Sequence, residues 1–225
     1  MNGFAAGTLV HTDKGLVPIQ NIKVGDLVLS MTEDELGQYI YKPVTKTTKM
    51  KREIYRLLYW ARDQYEEDTP KIHYILTTLG NYIWSIDKEK WLKTDMYLIG
   101  ENIGDELWVK DQQQPYHFLY INQVYQGYDE NHKIYGYTIK PFARDWADSG
   151  GIETFLKIND EAIKHYTEPY KNEYIPNIAE DIDMPTLIYI AHHADGTPLL
   201  VNTYHIEIED FKTYFVGELG LWVHQ

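Results

Sequence analysis

The 225-residue chain contains no cysteine. That excludes disulfides, cysteine-ligated zinc, iron–sulfur clusters and any thiol nucleophile. It has no uninterrupted apolar run of the ~18 residues that a membrane-spanning helix needs. It has no basic start followed by an apolar segment, so no signal peptide is visible. Cations are scarce: 21 Lys and Arg stand against 34 Asp and Glu, a formal net charge of −13. A field of that sign repels phosphate backbones and anionic lipid, so no nucleic acid and no membrane surface is expected as a partner. No repeat of solenoid period occurs. What the chain has in quantity is aromatic residues, with 20 Tyr and 6 Trp, which favour strands. A chain of this length buries about 70% of its unfolded surface and needs no covalent staple.

Turn signals recur every ~8–12 residues through the first hundred, which predicts a mainly β architecture. Thr8 to Thr12 is followed by Asp13-Lys14-Gly15, a hairpin signal, and Lys23-Val24-Gly25-Asp26 turns into Leu27 to Ser30. Tyr39, Tyr41, Ile54 to Trp60, Ile72 to Thr78, Tyr82 to Ser85 and Glu106 to Val109 read as further strands, with a polar loop tip over Gln64 to Lys71. The middle differs. The spacing of Ile152, Phe155, Leu156, Ile163 and Tyr166, between Gly150-Gly151 and Pro169, predicts a helix. Leu187 to Ala191 reads as a strand again, Asp195-Gly196 as a second hairpin turn, and strands continue to Val223. The expected organisation is a β scaffold over 1–115, an α-containing insertion over 116–185, and a closing scaffold over 186–225.

Three blocks narrow the reading. The first is Gly3-Phe4-Ala5-Ala6-Gly7-Thr8-Leu9-Val10, with Gly15 to Ile19 and Ile22 to Ser30. The second is Thr77-Thr78-Leu79-Gly80-Asn81-Tyr82-Ile83-Trp84, with Trp91-Leu92 and Met96 to Gly100. The third is Thr203 to Asp210, Thr213 to Gly217 and Leu221-Trp222-Val223-His224-Gln225. In this order they resemble the opening, middle and closing blocks of Hint domains, the hedgehog/intein autoprocessing modules. The resemblance covers about residues 3–109 and 187–225. Within the family it is nearest in character to Hint domains that precede toxin domains in secreted bacterial toxins. It implies a horseshoe-like β fold with both ends at one cleft, no cofactor, and the chain's own flanking polypeptide as substrate.

The chemistry that the resemblance implies can be stated physically. A thiol or hydroxyl at the first residue attacks the preceding carbonyl and turns an amide into an ester or thioester. A middle-block Thr and His polarise that amide and protonate its nitrogen. A final Asn, assisted by the preceding His, cyclises to cut the C-terminal bond. The matching positions here are Gly3, Thr78, Asn81, His224 and Gln225. Gly3 has no side chain, so an acyl shift from it is impossible. Asn81 stands where the His is usual, and an amide does not shuttle protons near neutral pH. Lys212 stands where a further His is often seen. His224 is kept, while Gln225 replaces Asn and closes a larger ring. A single trapping substitution would alter one position, so the joint departures point to natural degeneration. On this placement, Gly3→Cys with Asn81→His is expected to restore more activity than Gly3→Cys alone.

Three functions remain open at this stage. The chain is an impaired Hint scaffold or separator in a larger secreted protein, or a residually active module cleaving after Gln225, or a protein-binding module using its aromatic insertion. A monomer is expected. Bland readings cover the other clusters. His192-His193 with His205 and His73 lacks metal-ligand spacing. Glu66-Glu67-Asp68 and Glu180-Asp181-Asp183 lack a calcium-loop pattern. The tyrosines from Tyr116 to Tyr137 read as cross-strand packing. Asn2-Gly3 reads as a flexible terminal pair, open to slow deamidation. The insertion is too short and too acidic for a DNA-cutting domain.

Overall fold

The computed structural model describes residues 2–34, 38–61, 72–98, 102–110, 114–139, 152–158, 163–165 and 184–225. The first half of the chain forms β1 (Phe4–Ala5), β2 (Leu9–Thr12), β3 (Gly15–Pro18), β4 (Leu27–Ser30), β5 (Ile40–Glu53), β6 (Tyr55–Ala61), β7 (Ile72–Thr77), β8 (Tyr82–Ser85), β9 (Lys90–Lys93) and β10 (Glu106–Leu107). Then follow β11 (Tyr116–Tyr128), β12 (Ile134–Ile139), β13 (Ile152–Ile158), β14 (Ile163–His165), the helix α1 (Met184–His192), β15 (Leu200–Ile208), β16 (Thr213–Val216) and β17 (Leu221–His224). The mainly β expectation is met.

The scaffold is built from antiparallel pairs that bring distant segments together. β2 and β3 form the hairpin expected at Asp13-Lys14. Gly15 there has φ +95°, which glycine adopts without strain. The long β5 pairs with β4 at one end and with all of β15 along the rest. β6 lies between β7 and the first half of β11. β1 inserts between β15 and β7, matching Phe4 to Tyr204 and to Thr77. β17 lies between β16 and β8.

β17 buries both faces, so it reads as a continuous apolar run rather than an alternating one. Leu221 and Val223 enter the main core with Phe4, Val10, Tyr59 and Ile83. Trp222 points the other way, into a cluster with Trp84, Phe215 and Met31. Its ring lies 5.3 Å from Trp84 and 4.6 Å from Trp91, centroid to centroid. The closing segment is therefore anchored on two sides before its last residues reach the site.

β11 straddles the boundary expected at 116. Tyr116 to Gln123 pair with β6 in the scaffold, whereas Val124 to Tyr128 pair with β12 in a second sheet. β13 adds to β12, and β14 adds to β13. This corrects the expected helix: 152–158 and 163–165 are strands. The β-branched Ile152, Thr154 and Ile158 suit the edge that β12 offers, and pairing overrides the helical spacing. Gly150, Gly151, Tyr166 and Pro169, which framed that helix, lie outside the described residues, as do the loop tip over 64–71 and the two acidic clusters. The second correction is the reverse one. Leu187 to Ala191, expected as a strand, lies within α1. Pro185 in its first turn loses no internal hydrogen bond, and Tyr189 stacks on His193 one turn later at 4.1 Å. Asp195-Gly196 joins α1 to β15 instead of linking two strands. Its turn is closed by the Thr197 N–H donating to Asp195 Oδ1 at 2.9 Å. Tyr125 and Tyr137 are cross-strand partners with stacked rings.

The second sheet is welded to the scaffold. Val124 and Leu156 share a buried cluster with Ala5, Ile54, Leu76, Leu199 and Val201. Ala5 belongs to the strand that carries the N-terminal end into the site. Leu156→Ala should therefore cost about 2–4 kcal/mol of global stability. A single cooperative urea transition at a lower midpoint is the expected result. A separate transition for the second sheet, with the scaffold midpoint unmoved, would show that the two are energetically independent.

Candidate functional site

The turn from β7 to β8 builds the centre of the site. Gly80 has φ +86°, so the chain reverses over Thr78-Leu79-Gly80-Asn81 and brings the Asn81 amide back over Thr78. Thr77, Thr78 and Asn81 are all buried. The Gly3 N–H donates to Thr78 Oγ1 at 2.9 Å. The Gly3 carbonyl accepts from the Thr78 N–H and from Asn81 Nδ2, each at 2.9 Å. Asn81 Nδ2 also meets Thr77 Oγ1 at 2.7 Å. Burial makes these bonds obligatory, because an unpaired polar group here would lose water without compensation. Three of the expected site residues, Gly3, Thr78 and Asn81, are thus in direct contact.

The lack of a side chain at Gly3 is also a spatial requirement. A Cβ there would lie 2.5 Å from the Tyr204 carbonyl oxygen and 2.9 Å from its carbon. The obstacle is the main chain of β15, which no rotamer change relieves. The expectation that Gly3→Cys with Asn81→His restores activity is therefore revised: the strand occupies the volume that a thiol would need. Asn2 is not a loose end either. Its Nδ2 donates to the Gly80 carbonyl, and a Cβ on Gly80 would press on its side-chain amide.

At the other end, His224 pairs with Tyr82, the neighbour of Asn81. Its ring meets Tyr82 and Trp91 at 6.0 and 5.2 Å, and its Nδ1 lies 2.6 Å from the Gln225 carbonyl oxygen. The Gln225 side chain continues the ladder. Oε1 accepts from the Ile208 N–H at 2.9 Å, and Nε2 donates to the Ile208 carbonyl at 3.3 Å. The Gln225 N–H donates to the Lys212 carbonyl at 2.9 Å. β15 thus contacts both chain ends, Gly3 beside Tyr204 and His205 and Gln225 at Ile208. The two contacts are separated by about 10 Å of strand.

Sequence reasoning weighed His205 only as a member of a metal cluster, not as a residue of this site. It is buried, its Nδ1 has no hydrogen-bond partner among the described residues, and its main-chain nitrogen lies beside Gly3. Burial holds it below the ordinary histidine range, Glu207 and the Asn2 carbonyl oppose that, and Lys46 adds to it. The only signal in the sequence is a lone histidine in the strand pattern Thr203-Tyr204-His205-Ile206. Its neighbour Gly3 comes from the far end of the chain. The histidines once grouped with it are dispersed: His193 stacks on Tyr189 and His73 on Tyr59.

His11 is the second buried histidine. Nε2 bonds the Gly217 carbonyl at 2.9 Å, and desolvation is the largest influence on its pKa, which is lowered. Both rings are harder to protonate in the fold than in the unfolded chain, which protonates near pH ~6.5. The unfolded state therefore binds protons first, and stability is present above about pH 6.5 and lost as pH falls below it. The urea midpoint should drop between pH ~7.5 and ~5.5. The double variant His11→Gln, His205→Gln should flatten that slope, and an unchanged slope would assign it to other groups.

No family model matches the chain, and no curated protein matches it. Among solved structures, the bacterial intein-like domain from Clostridium thermocellum is 18% identical, with 100% of this chain and 99% of that chain covered at a TM-score of 0.46. The gp41-1 intein is 14% identical, with 100% and 99% covered at a TM-score of 0.48. A DnaB intein from Synechocystis sp. PCC 6803 is 8% identical, with 100% and 98% covered at a TM-score of 0.49. The chain is similar to intein and intein-like domains over its whole length.

Proposed function

We propose that this chain is a Hint domain that has lost the N-terminal acyl shift and persists as a folded separator within a longer, secreted, toxin-like protein. The observation that carries the reading is the Tyr204 carbonyl, which fills the position where a nucleophilic side chain on Gly3 would sit. The three sequence blocks support the ancestry. Asn81 supports the loss, because its amide holds the Gly3 carbonyl without a titratable proton. Thiol reagents should release nothing from a chain extended upstream, since no thioester forms. Gly3→Cys should lower stability by about 1–3 kcal/mol through overpacking. Adding Asn81→His should not produce thiol-dependent cleavage. Thiol-dependent release from that double variant would overturn the reading.

A second reading, residual cleavage after Gln225, is favoured by one contact: the His224 ring nitrogen against the Gln225 carbonyl oxygen. For Gln225 to cyclise, Nε2 and Oε1 must both leave Ile208, at about 0.5–1.5 kcal/mol for each bond, before a six-membered ring closes. Each ~1.4 kcal/mol of added barrier slows the step tenfold. A chain extended past Gln225 should stay intact over hours by intact mass. Gln225→Asn should speed cleavage, and His224→Ala should remove that gain. Rapid cleavage of the extended native sequence would favour the autoprocessing reading over the first.

A further inference from the structure

β5 is a basic strand in an acidic chain. Five of its 14 residues are Lys or Arg and one is an acid, whereas the whole chain has a net charge of −13. Lys42 and Lys46 are neutralised by Asp210 and Glu207, each at 2.8 Å. Lys49 lies over the Tyr204 ring at 5.8 Å. Lys51 and Arg52 are exposed and make no ion pair among the described residues. Glu53, the one acid of the strand, is held by Gln123 Nε2 at 3.1 Å.

The same strand has an open edge. On one side it pairs with β15 from Val44 to Glu53. On the other side β4 and its turn reach only as far as Val44. The Val44 N–H donates to the Asp26 carbonyl at 2.9 Å, and its carbonyl accepts from the Gly25 N–H at 2.8 Å. Beyond Val44 no strand adds to that edge among the described residues. The direction of its backbone groups follows from the ladder. The Ala6 N–H donates to the Asn202 carbonyl at 3.3 Å, so Asn202 and Tyr204 turn their main-chain groups toward β1. Thr203 and His205 turn theirs toward β5, where they meet Met50 and Thr48. The alternate residues Thr47, Lys49 and Lys51 therefore present N–H and C=O outward, spaced ~7 Å apart. All three are exposed.

We propose that the outer edge of β5 over 47–52 is a docking site for an extended acidic segment of a partner protein, which adds to it as a further strand. A nucleic acid matches the charge but offers no ladder of N–H and C=O groups, and the rest of the chain repels it. A second copy of this chain pairing edge to edge sets Lys49 and Lys51 against like charges. An acidic strand satisfies both observations. Its main chain pairs with Thr47, Lys49 and Lys51, and its carboxylates meet Lys49, Lys51 and Arg52. Lys51 and Arg52 also border a cavity of about 350 Å³, together with Glu53, Tyr55 and Leu200, which has room for a side chain of the added strand. Lysines on an exposed edge also guard against self-association, but an edge with that role alone binds nothing. The proposal uses neither Gly3 nor Gln225, so its failure leaves the loss of the acyl shift intact.

Fluorescence anisotropy of a labelled, capped peptide of alternating Glu and Thr, about seven residues long to span the edge, tests this on the full folded chain. The peptide should bind saturably, and its affinity should fall as salt rises from about 0.05 to 0.5 M. A Lys-Thr peptide of equal length should not bind. Methylating alternate backbone nitrogens of the acidic peptide, on the side that pairs, should weaken it at least ~10-fold at constant charge. A thymidine oligonucleotide of matched charge should bind more weakly than the acidic peptide. Lys51→Gln with Arg52→Gln should weaken the peptide at least ~3-fold. Thr47→Pro removes one outward N–H at an edge position where proline is tolerated, and should weaken the peptide with no change of charge. Urea midpoints close to the native value show that the variants fold. If Thr47→Pro does not, the methylated peptide carries the backbone arm. Absence of binding by the acidic peptide overturns the proposal. Equal binding of the methylated peptide or of the oligonucleotide also overturns it, since charge alone then accounts for the surface.

Discussion

Everything at the site depends on how closely β1 can lie against β15. Two residues, Phe4 and Ala5, form a strand so short that it holds only by being inserted between β15 and β7. Phe4 faces the main core and Ala5 faces the cluster shared with the second sheet. Gly3 immediately precedes them, and its missing Cβ sets the approach distance of the two backbones. A wider spacing there would loosen the pairing of Phe4 with Tyr204 and the three hydrogen bonds of Gly3. Steric closeness and buried polar pairing support one another, and neither is retained without the other.

The positions where this chain departs from the Hint pattern it resembles are occupied by groups that make structural bonds. Asn81 bridges Gly3, Thr77 and Thr78 with one amide nitrogen. Gln225 extends the sheet by pairing its side chain with Ile208. Lys212, at φ +59°, offers its carbonyl to Gln225 rather than a titratable ring. Amides satisfy donors and acceptors at once and do not change charge with pH. In a buried site that removes the cost of titration along with the chemistry.

The sequence carried the mainly β class through its turn residues and aromatic content, since hairpins such as Asp13-Lys14-Gly15 are local events. It also carried the absence of a nucleophile at Gly3, which is a matter of composition. It misled where partner and periodicity disagree. Residues 152–158 have helical spacing, but a free strand edge in β12 claims them. Residues 187–191 look like a strand, yet Pro185 and the Tyr189–His193 stack make them a helix. The place of His205 at the site was not legible because its main chain lies beside Gly3, about two hundred positions away. Nor could the sequence show that Tyr204 stands where a Gly3 side chain would extend, because that is a distance between two backbones.

The two ends of the chain oppose Hint-type chemistry by physically different means. At Gly3 the obstacle is volume: a main-chain oxygen 2.5 Å from the site of a Cβ. Moving it means shifting a strand paired along its length with β5. At Gln225 the obstacle is a pair of hydrogen bonds and one extra methylene, worth about 1–3 kcal/mol for the bonds, while His224 still meets the carbonyl oxygen. A strand shift must break many contacts together, whereas a side chain can leave Ile208 alone. The obstacle at the first end is fixed by packing. On the proposed reading the obstacle at the second is a matter of rate, so any Hint-type chemistry accessible by a single substitution lies at the C-terminal end.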